Sequence, residues 1–418
     1  MNPSEYCPDT QDQLAIWMHA SHEQPPHPMY PVGGRTSWHP PQVQEPHTVI
    51  STARLARVID YPARDMTVTV EAGMRVSELA TLLATERQRL AVDIAQPDQA
   101  TVGGAVAANA SGPRRFGLGT LRDYVIGLSA VDARGRAFKA GGRVVKNVAG
   151  YDLCKMLVGS QGTLAVISQL TFKLKPIPES TAFLWVIFSD YEAVDLGLER
   201  LITSSTRPVA VELLSPSAAQ QIISRTGLNL PTKYPVVCLG YEGTAQETQW
   251  QVETVRLEQR AAGADNSYVV GDAQAPTLWN SLISQTVSDC PLIFKARMRP
   301  SKTAQFVYRA AAADAAIQAH AGNGVVIGQF SLDTAPAQMS ALLLALQEYT
   351  RQADGSLSLL HCDPALRSEI YLTPDAPVSG ELMIKLKSEL DPRQVLNPPA
   401  MREFGLEMPP PIADAGQR

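Results

Sequence analysis

The chain has 418 residues, 45% of them hydrophobic and 18% charged, enough for two or three domains with their own cores. Its formal net charge of −5 excludes a generally basic nucleic-acid binder, while local charge can still hold an anionic ligand. Cys7, Cys154, Cys238, Cys290 and Cys362 lie far apart with no C-x-x-C pair, which argues against zinc or an iron–sulfur cluster on this chain and for a reducing compartment.

Periodicity over residues 5–20 predicts a first helix, without the basic-then-apolar pattern of a secretory signal. A proline- and glycine-rich segment follows, with a short strand at 29–32. TARLARVIDYP and MTVTVEAGM read as strands, and VSELATLLATERQ as a helix with Val76, Leu79, Leu82 and Leu83 on one face. The stretch VGGAVAANASGPRRFG, at 102–117, then holds four glycines and four alanines and almost no bulky side chain. YVIGLSAVDARGRAFKA predicts a hairpin turning at 133–136, and the prolines of KPIPES mark a boundary near 176–180.

Beyond residue 181, strands such as AFLWVIF, VAVELL, YPVVCLGYEG, LIFKARM and GVVIGQFSL alternate with helical stretches. The pattern suggests an α+β domain of two weakly repeated halves, with helices on one face. ELMIKLKSELDPRQVLNPP ends the chain's ordered part as a helix stopped at Asp-Pro. No apolar run reaches membrane-spanning length, so the expectation is a cytoplasmic chain that meets an inner membrane only through partners.

Interior glycine costs about 0.5–1 kcal/mol relative to alanine, so glycines gathered beside strands need a reason. Three such stretches occur: VGGRTS at 32–37, TVGGAVAANASG at 101–112 and GSQGTL at 159–164. Singly, each reads as a tight turn. Together they suggest bare backbone N–H groups around a long ligand with a phosphate region and flat aromatic parts. Neither a P-loop nor a G-x-G-x-x-G dinucleotide turn is present.

The order PVGGRTS, AQPDQATVGGAVAANASGPRRFGLGTLRDYVIGL, RVVKNVAGYDLCKMLVGSQGTLAVIS and LKSELDPRQVLNP resembles the FAD-linked oxidases of the vanillyl-alcohol-oxidase superfamily. RVVKNVAGYDL with GSQGTLAVI is most like the FAD-binding E subunits of bacterial glycolate oxidases. The resemblance covers about residues 28–178 and 381–398. It implies an α+β fold: a two-subdomain, PCMH-type FAD-binding domain at 1–178, and an α+β cap for substrate or subunit docking at 179–375. A C-terminal segment at 376–418 would return to the FAD domain.

The resemblance also implies the cofactor contacts. Val32, Gly33, Gly34, Arg35, Thr36 and Ser37 would form the loop over the pyrophosphate. Thr101, Val102, Gly103 and Gly104 would approach the flavin and pyrophosphate, with Asn109, Ser111 and Gly112 continuing that wall. Gly117, Gly162, Thr163 and Ile167 would complete the pocket. Where many relatives tether the flavin through a histidine, this chain reads Arg35-Thr36, which implies non-covalent FAD; His39 reads as a loop histidine. Lys146 is the candidate cation for the flavin N1–C2=O edge, with Arg114, Arg115 and Arg143 as further cations nearby. Tyr151-Asp152 reads as a loop buttress and Cys154 as core.

The implied function is that of the FAD-binding subunit of a glycolate oxidase or dehydrogenase. Glycolate would become glyoxylate by hydride transfer to flavin, with a catalytic FAD-linked oxidase subunit and an iron–sulfur subunit as partners. The motif G-H-x-G-D-G-N-x-H of catalytic relatives is missing, and His320 and His361 stand in QAHAG and LLHCD without a partner at ligand spacing, so no metal is expected. FKARMRP predicts Lys295, Arg297 and Arg299 on one strand face, as a carboxylate grip or as an exposed face, with Arg297 the catalytic candidate. Two other functions stay open. One is a self-sufficient FAD-linked dehydrogenase of D-lactate or another 2-hydroxy acid, which lacks an identified base. The other is a non-catalytic, flavin-bearing assembly subunit.

Overall fold

The structure is a computed structural model that describes residues 4–37, 46–142, 152–271, 273–287, 290–312, 314–331, 333–403 and 405–411. The chain divides into two compact units. The first comprises Met1–Ser111, Thr120–Ile177 and Ala376–Arg418, and the second Gly112–Gly119 and Pro178–Asp375. The segment Gly112–Gly119, which sequence reasoning puts in the flavin domain, thus belongs to the second unit. Among the described residues no helix is long and apolar enough to cross a membrane.

The strands of the first unit are β1 (Ser4–Tyr6), β2 (Met29–Val32), β3 (Thr48–Ser51), β4 (Val58–Asp60), β5 (Thr67–Glu71), β6 (Gln88–Arg89), β7 (Val125–Val131), β8 (Ala137–Gly141), β9 (Val166–Lys173) and β10 (Lys175–Pro176). A parallel three-stranded sheet, β1-β3-β2, and an antiparallel five-stranded sheet, β4-β5-β9-β7-β8, give it two subdomains. Leu14 and Met18, from the helix Gln11–His22, pack with Met29, Ile50, Val166 and Leu396 into one core. The C-terminal segment is part of this unit: Met29 and Leu396 form a parallel bridge. TARLARVIDYP yields only β4, because Leu55 turns inward where the chain leaves β3.

The strands of the second unit are β11 (Ser180–Ile187), β12 (Ala210–Leu214), β13 (Val236–Gly243), β14 (Asn266–Val270), β15 (Leu292–Arg297), β16 (Ala316–His320), β17 (Val325–Phe330) and β18 (Ser356–Cys362). They form one antiparallel sheet ordered β14-β11-β13-β12-β16-β17-β15-β18. Counted within its own four strands, each half runs 4-1-3-2, and the halves meet where β12 pairs with β16. The weak repeat suggested by the sequence is therefore a repeat of topology.

Helices Tyr191–Ile202, Ala245–Ala261, Thr303–Ala311 and Pro336–Gln352 cover one face over Leu184, Val211, Leu239, Phe294 and Val326. Helices Pro216–Ser224 and Ala275–Ile283 cover part of the other, over Trp185, Leu214 and Cys238. The expectation of helices on one face is corrected here. β12 is buried along its whole length, so both of its faces need an apolar cover.

Candidate functional site

In the first unit, β2 delivers the chain directly into Gly33-Gly34. A Cβ on Gly33 would run into Thr101 Oγ1, and one on Gly34 into the Gln99 carbonyl, so close approach of two loops requires both glycines. Thr101 caps the helix Val102–Ala108, its Oγ1 accepting the Gly104 N–H at 3.2 Å. The sequence reads as a tight turn in this stretch; alanines and the threonine cap make it helical instead, with the glycines in its first turn. A Cβ on Gly103 would stand 2.6 Å from the Ala72 Cβ.

A cavity of about 250 Å³ opens beside these loops. Gly33, Gly34, Arg35 and Thr101 line it, together with Ala53, Gly73, Gln99 and Arg75, none of which was anticipated. Arg35 takes a left-handed backbone (φ 60°) and pairs with Glu5 at 2.8 Å; Arg75 donates to the Asp98 carbonyl. The only sequence signal for Arg75 is a cation at a strand-to-helix turn beside a glycine.

The Gly159–Leu164 loop is stitched to the same helix: Gly159 N–H donates to Val106 O at 3.0 Å and Gln161 N–H to Ala107 O at 2.9 Å. Gly159 and Gly162 have φ of +84° and +68°. Asn109 Oδ1 and Ser160 Oγ are buried without a hydrogen-bond partner among the described residues. Thr163 is buried, and its hydroxyl donates to Ser160 O at 2.7 Å. Val102 is buried at the helix start, and Ile167 is buried on β9 opposite Ala130. Thr36 and Ser37 continue the first loop as a turn, and Ser111 is half-buried. Glycine-bared backbone, two lining arginines and two orphaned polar atoms fit the chemistry of FAD, whose pyrophosphate would need close backbone approach and cations and whose ring would need polar partners.

Gly112 and Gly117 fall in the second unit, where Gly117 N–H donates to Val209 O at 3.1 Å and an added Cβ would meet the Val209 Cα at 2.7 Å. Packing against the start of β12 accounts for Gly117. His39, Arg143, Lys146 and Tyr151 lie outside the described residues. Asp152 caps the helix Leu153–Leu157 and pairs with Lys155 at 2.5 Å, while burial pushes the Cys154 thiol up to about 11.

The second unit gathers a different set of groups. Arg114 pairs with Glu242 at 2.8 Å and stacks 3.6 Å from the centroid of the Trp279 ring. Phe116 fills the space that a side chain on Gly322 would need. These anchors carry Arg115, whose guanidinium feels Arg297 and Glu212 and is pushed down from its usual pKa, first by burial, then by Arg297. Lys295 and Arg297 share a face of β15. Burial, then the neighbouring Arg297 and Arg115, push the Lys295 ammonium down to about 8. Arg299 does not join them: the strand ends at Arg297, and Arg299 pairs with Asp354 at 3.4 Å.

The register of β12 and β16 puts Glu212 opposite His320. Glu212 is fully buried; its Oε1 lies 2.7 Å from His320 Nδ1, and its Oε2 accepts the Gln318 amide N–H at 2.6 Å. Gln318 is 1% exposed, and its Oε1 has no partner among the described residues. This pairing spans 108 residues of sequence, so ligand spacing along the chain does not reveal it. The signal for Glu212 was present in VAVELL: a lone carboxylate in an apolar strand must be paired. His361 also has a carboxylate, Asp363, 3.1 Å from its Nε2, and its register partner Ile293 shares the Lys295 face.

His320, Gly322 and Gly324 keep the H-x-G-x-G spacing of the metal motif, but Asn323 replaces its aspartate and Ile327 its second histidine. Ile327 sits in register between Lys295 and Gln318. Among the described residues no three His, Cys, Asp or Glu side chains converge as ligands, and three cations crowd the place, so these residues do not fit a divalent metal.

Comparison with known proteins agrees with both halves. Residues 5–141 match the FAD binding domain, and residues 177–400 match the C-terminal domain of FAD linked oxidases. A D-2-hydroxyglutarate dehydrogenase of Xanthomonas citri pv. viticola is 25% identical over 395 residues, 88% of this chain and 82% of that protein. Glycolate oxidase subunit GlcE of Escherichia coli K12 is 34% identical over 125 residues, covering 30% of this chain and 36% of that one. A solved structure of alkyldihydroxyacetonephosphate synthase, 16% identical, superposes with a TM-score of 0.65 over 94% of this chain and 75% of its own, a likeness of fold. With its glycine loops in one unit and a C-terminal-domain match spanning the other, this chain belongs to the FAD-linked oxidases and is an FAD-binding oxidoreductase.

Proposed function

We propose that the chain is the flavin-bearing subunit of a glycolate-oxidising enzyme and carries the groups that oxidise a small 2-hydroxy acid. The observation behind this reading is the buried Glu212–His320 pair, grouped with Lys295, Arg297 and Arg115 in the second unit. Such a substrate brings a carboxylate and a hydroxyl. Guanidinium groups match a carboxylate with paired N–H donors, and Lys295 adds a third cation.

Glu212 is acceptor-only when ionised, so His320 donates Nδ1–H to it and keeps Nε2 as an acceptor. Nε2 takes the hydroxyl proton. FAD, when bound, would supply the two-electron acceptor for the hydride lost from the carbinol carbon as glycolate becomes glyoxylate. The cofactor is held non-covalently. Electrons then leave through a second FAD-linked oxidase subunit and an iron–sulfur subunit, with any membrane contact made by those partners. The likeness to GlcE supports the complex, and the dehydrogenase relative supports the 2-hydroxy acid class.

The test is the pH dependence of kcat/KM for glycolate in the assembled enzyme. Lys295 is charged below about 8 and loses its proton above it. Substrate capture therefore falls on the alkaline side of that value, approaching about tenfold per pH unit. Lys295→Met removes this limb and starts from a lower plateau. An alkaline limb that survives in Lys295→Met takes Lys295 out of the substrate site.

A further inference from the structure

We infer that the C-terminal return is a clasp that sets the geometry of two flavin loops, with Lys387 and Asn397 as its positioning residues. Lys387 lies in the helix Gly380–Leu390 and is 0% exposed. A buried ammonium is tolerated when all its protons are used. Lys387 Nζ donates to Asp391 Oδ2 at 2.5 Å, to Leu396 O at 2.7 Å and to Thr163 O at 2.8 Å. The third bond leaves the C-terminal segment and fixes a carbonyl of the Gly159–Leu164 loop.

Asn397 does the same one residue beyond Leu396. Its side-chain N–H donates to Gln161 O at 2.7 Å. The loop between these two anchors turns at Gly162, where an added Cβ would touch Pro31 of β2 at 3.2 Å. The clasp also grips β2 itself: Met29 N–H donates to Val395 O at 2.7 Å, and Asn397 N–H to Met29 O at 2.8 Å. Asp391 holds the return in shape by accepting the Val395 and Leu396 N–H groups at 3.1 and 2.8 Å. One short segment thus sets both the strand that feeds Gly33-Gly34 and the loop bearing Ser160 and Thr163. A purely apolar core needs none of these bonds, and two of them end on carbonyls of the loop that would hold the flavin.

The test is FAD affinity of the apoprotein, read by quenching of flavin fluorescence, beside the melting temperature of the same apoprotein. Asn397→Asp keeps the side-chain shape and tolerates the left-handed backbone (φ 43°), but cannot donate. It raises the Kd for FAD about tenfold, the worth of one hydrogen bond, with the apoprotein melting within about 2 °C of wild type. Lys387→Met raises the Kd further; should it fail to fold, Asn397→Asp decides. A Kd within about twofold of wild type in Asn397→Asp overturns the inference. So does a Kd change matched by an equal loss of apoprotein stability, which marks a structural bond only.

Discussion

His320→Asn slows anaerobic flavin reduction by glycolate about a thousandfold, with little change in substrate affinity. A positioned general base contributes roughly 10²–10⁴ in rate; the proposed function gives His320 that role, and a fully buried carboxylate holds its ring. Asparagine keeps a polar side chain in the space but cannot take the hydroxyl proton. Glu212→Gln moves the rate in the same direction, because an amide can donate to Nδ1 and turns the imidazole to the wrong tautomer. Stopped-flow flavin absorbance separates this from binding. If His361→Asn gives the large loss and His320→Asn does not, the base lies on the edge strand β18 with Asp363 instead.

Gly104→Val abolishes FAD retention while the second unit stays folded. A single Cβ at this position would touch Thr101 Oγ1 at 3.1 Å and come within 3.9 Å of the Gly33 Cα. Alanine would therefore be nearly accommodated. Valine's two methyls push into the facing Gly33-Gly34 loop and close the approach the pyrophosphate needs. The strain on the apoprotein is modest, about 1–3 kcal/mol as for other small-to-large changes, so the readout is flavin content against melting temperature. A Gly104→Val protein that purifies with a full complement of FAD shows that this helix does not face the cofactor.

The close-packed glycines were the legible part of this sequence. Gly33, Gly34, Gly103 and Gly104 break local propensity, and close backbone approach is the reason the structure gives for the first three. Met29–Val32 and the hairpin β7–β8 were readable because alternation and turn residues are local signals. The second unit was harder for a physical reason. Its chemistry depends on register: Glu212 meets His320 only because β12 and β16 join the two halves of the sheet. β16 itself, AIQAH, is short and half polar, so periodicity does not reveal it.

Arg115 shows a second limit. Its neighbours in sequence stand in a stretch expected to line the cofactor, yet Arg114, Phe116 and Gly117 pack it into the second unit. Lys387 shows a third. KLKSEL carries two lysines, and within it periodicity does not tell the buried Lys387 from the exposed Lys385 two residues earlier. Its burial is explained by Asp391, the Leu396 carbonyl and a loop carbonyl 224 residues away in sequence.

The most direct measurement is the visible spectrum of the purified chain, recorded anaerobically before and after glycolate is added. Under the proposed function the groups for oxidation lie on this chain, so the yellow flavin bands should bleach without any partner subunit, and the flavin should be released on denaturation. A yellow protein that stays oxidised in glycolate, while the same preparation bleaches with dithionite, would contradict the assignment of substrate oxidation to Glu212, His320 and their cations.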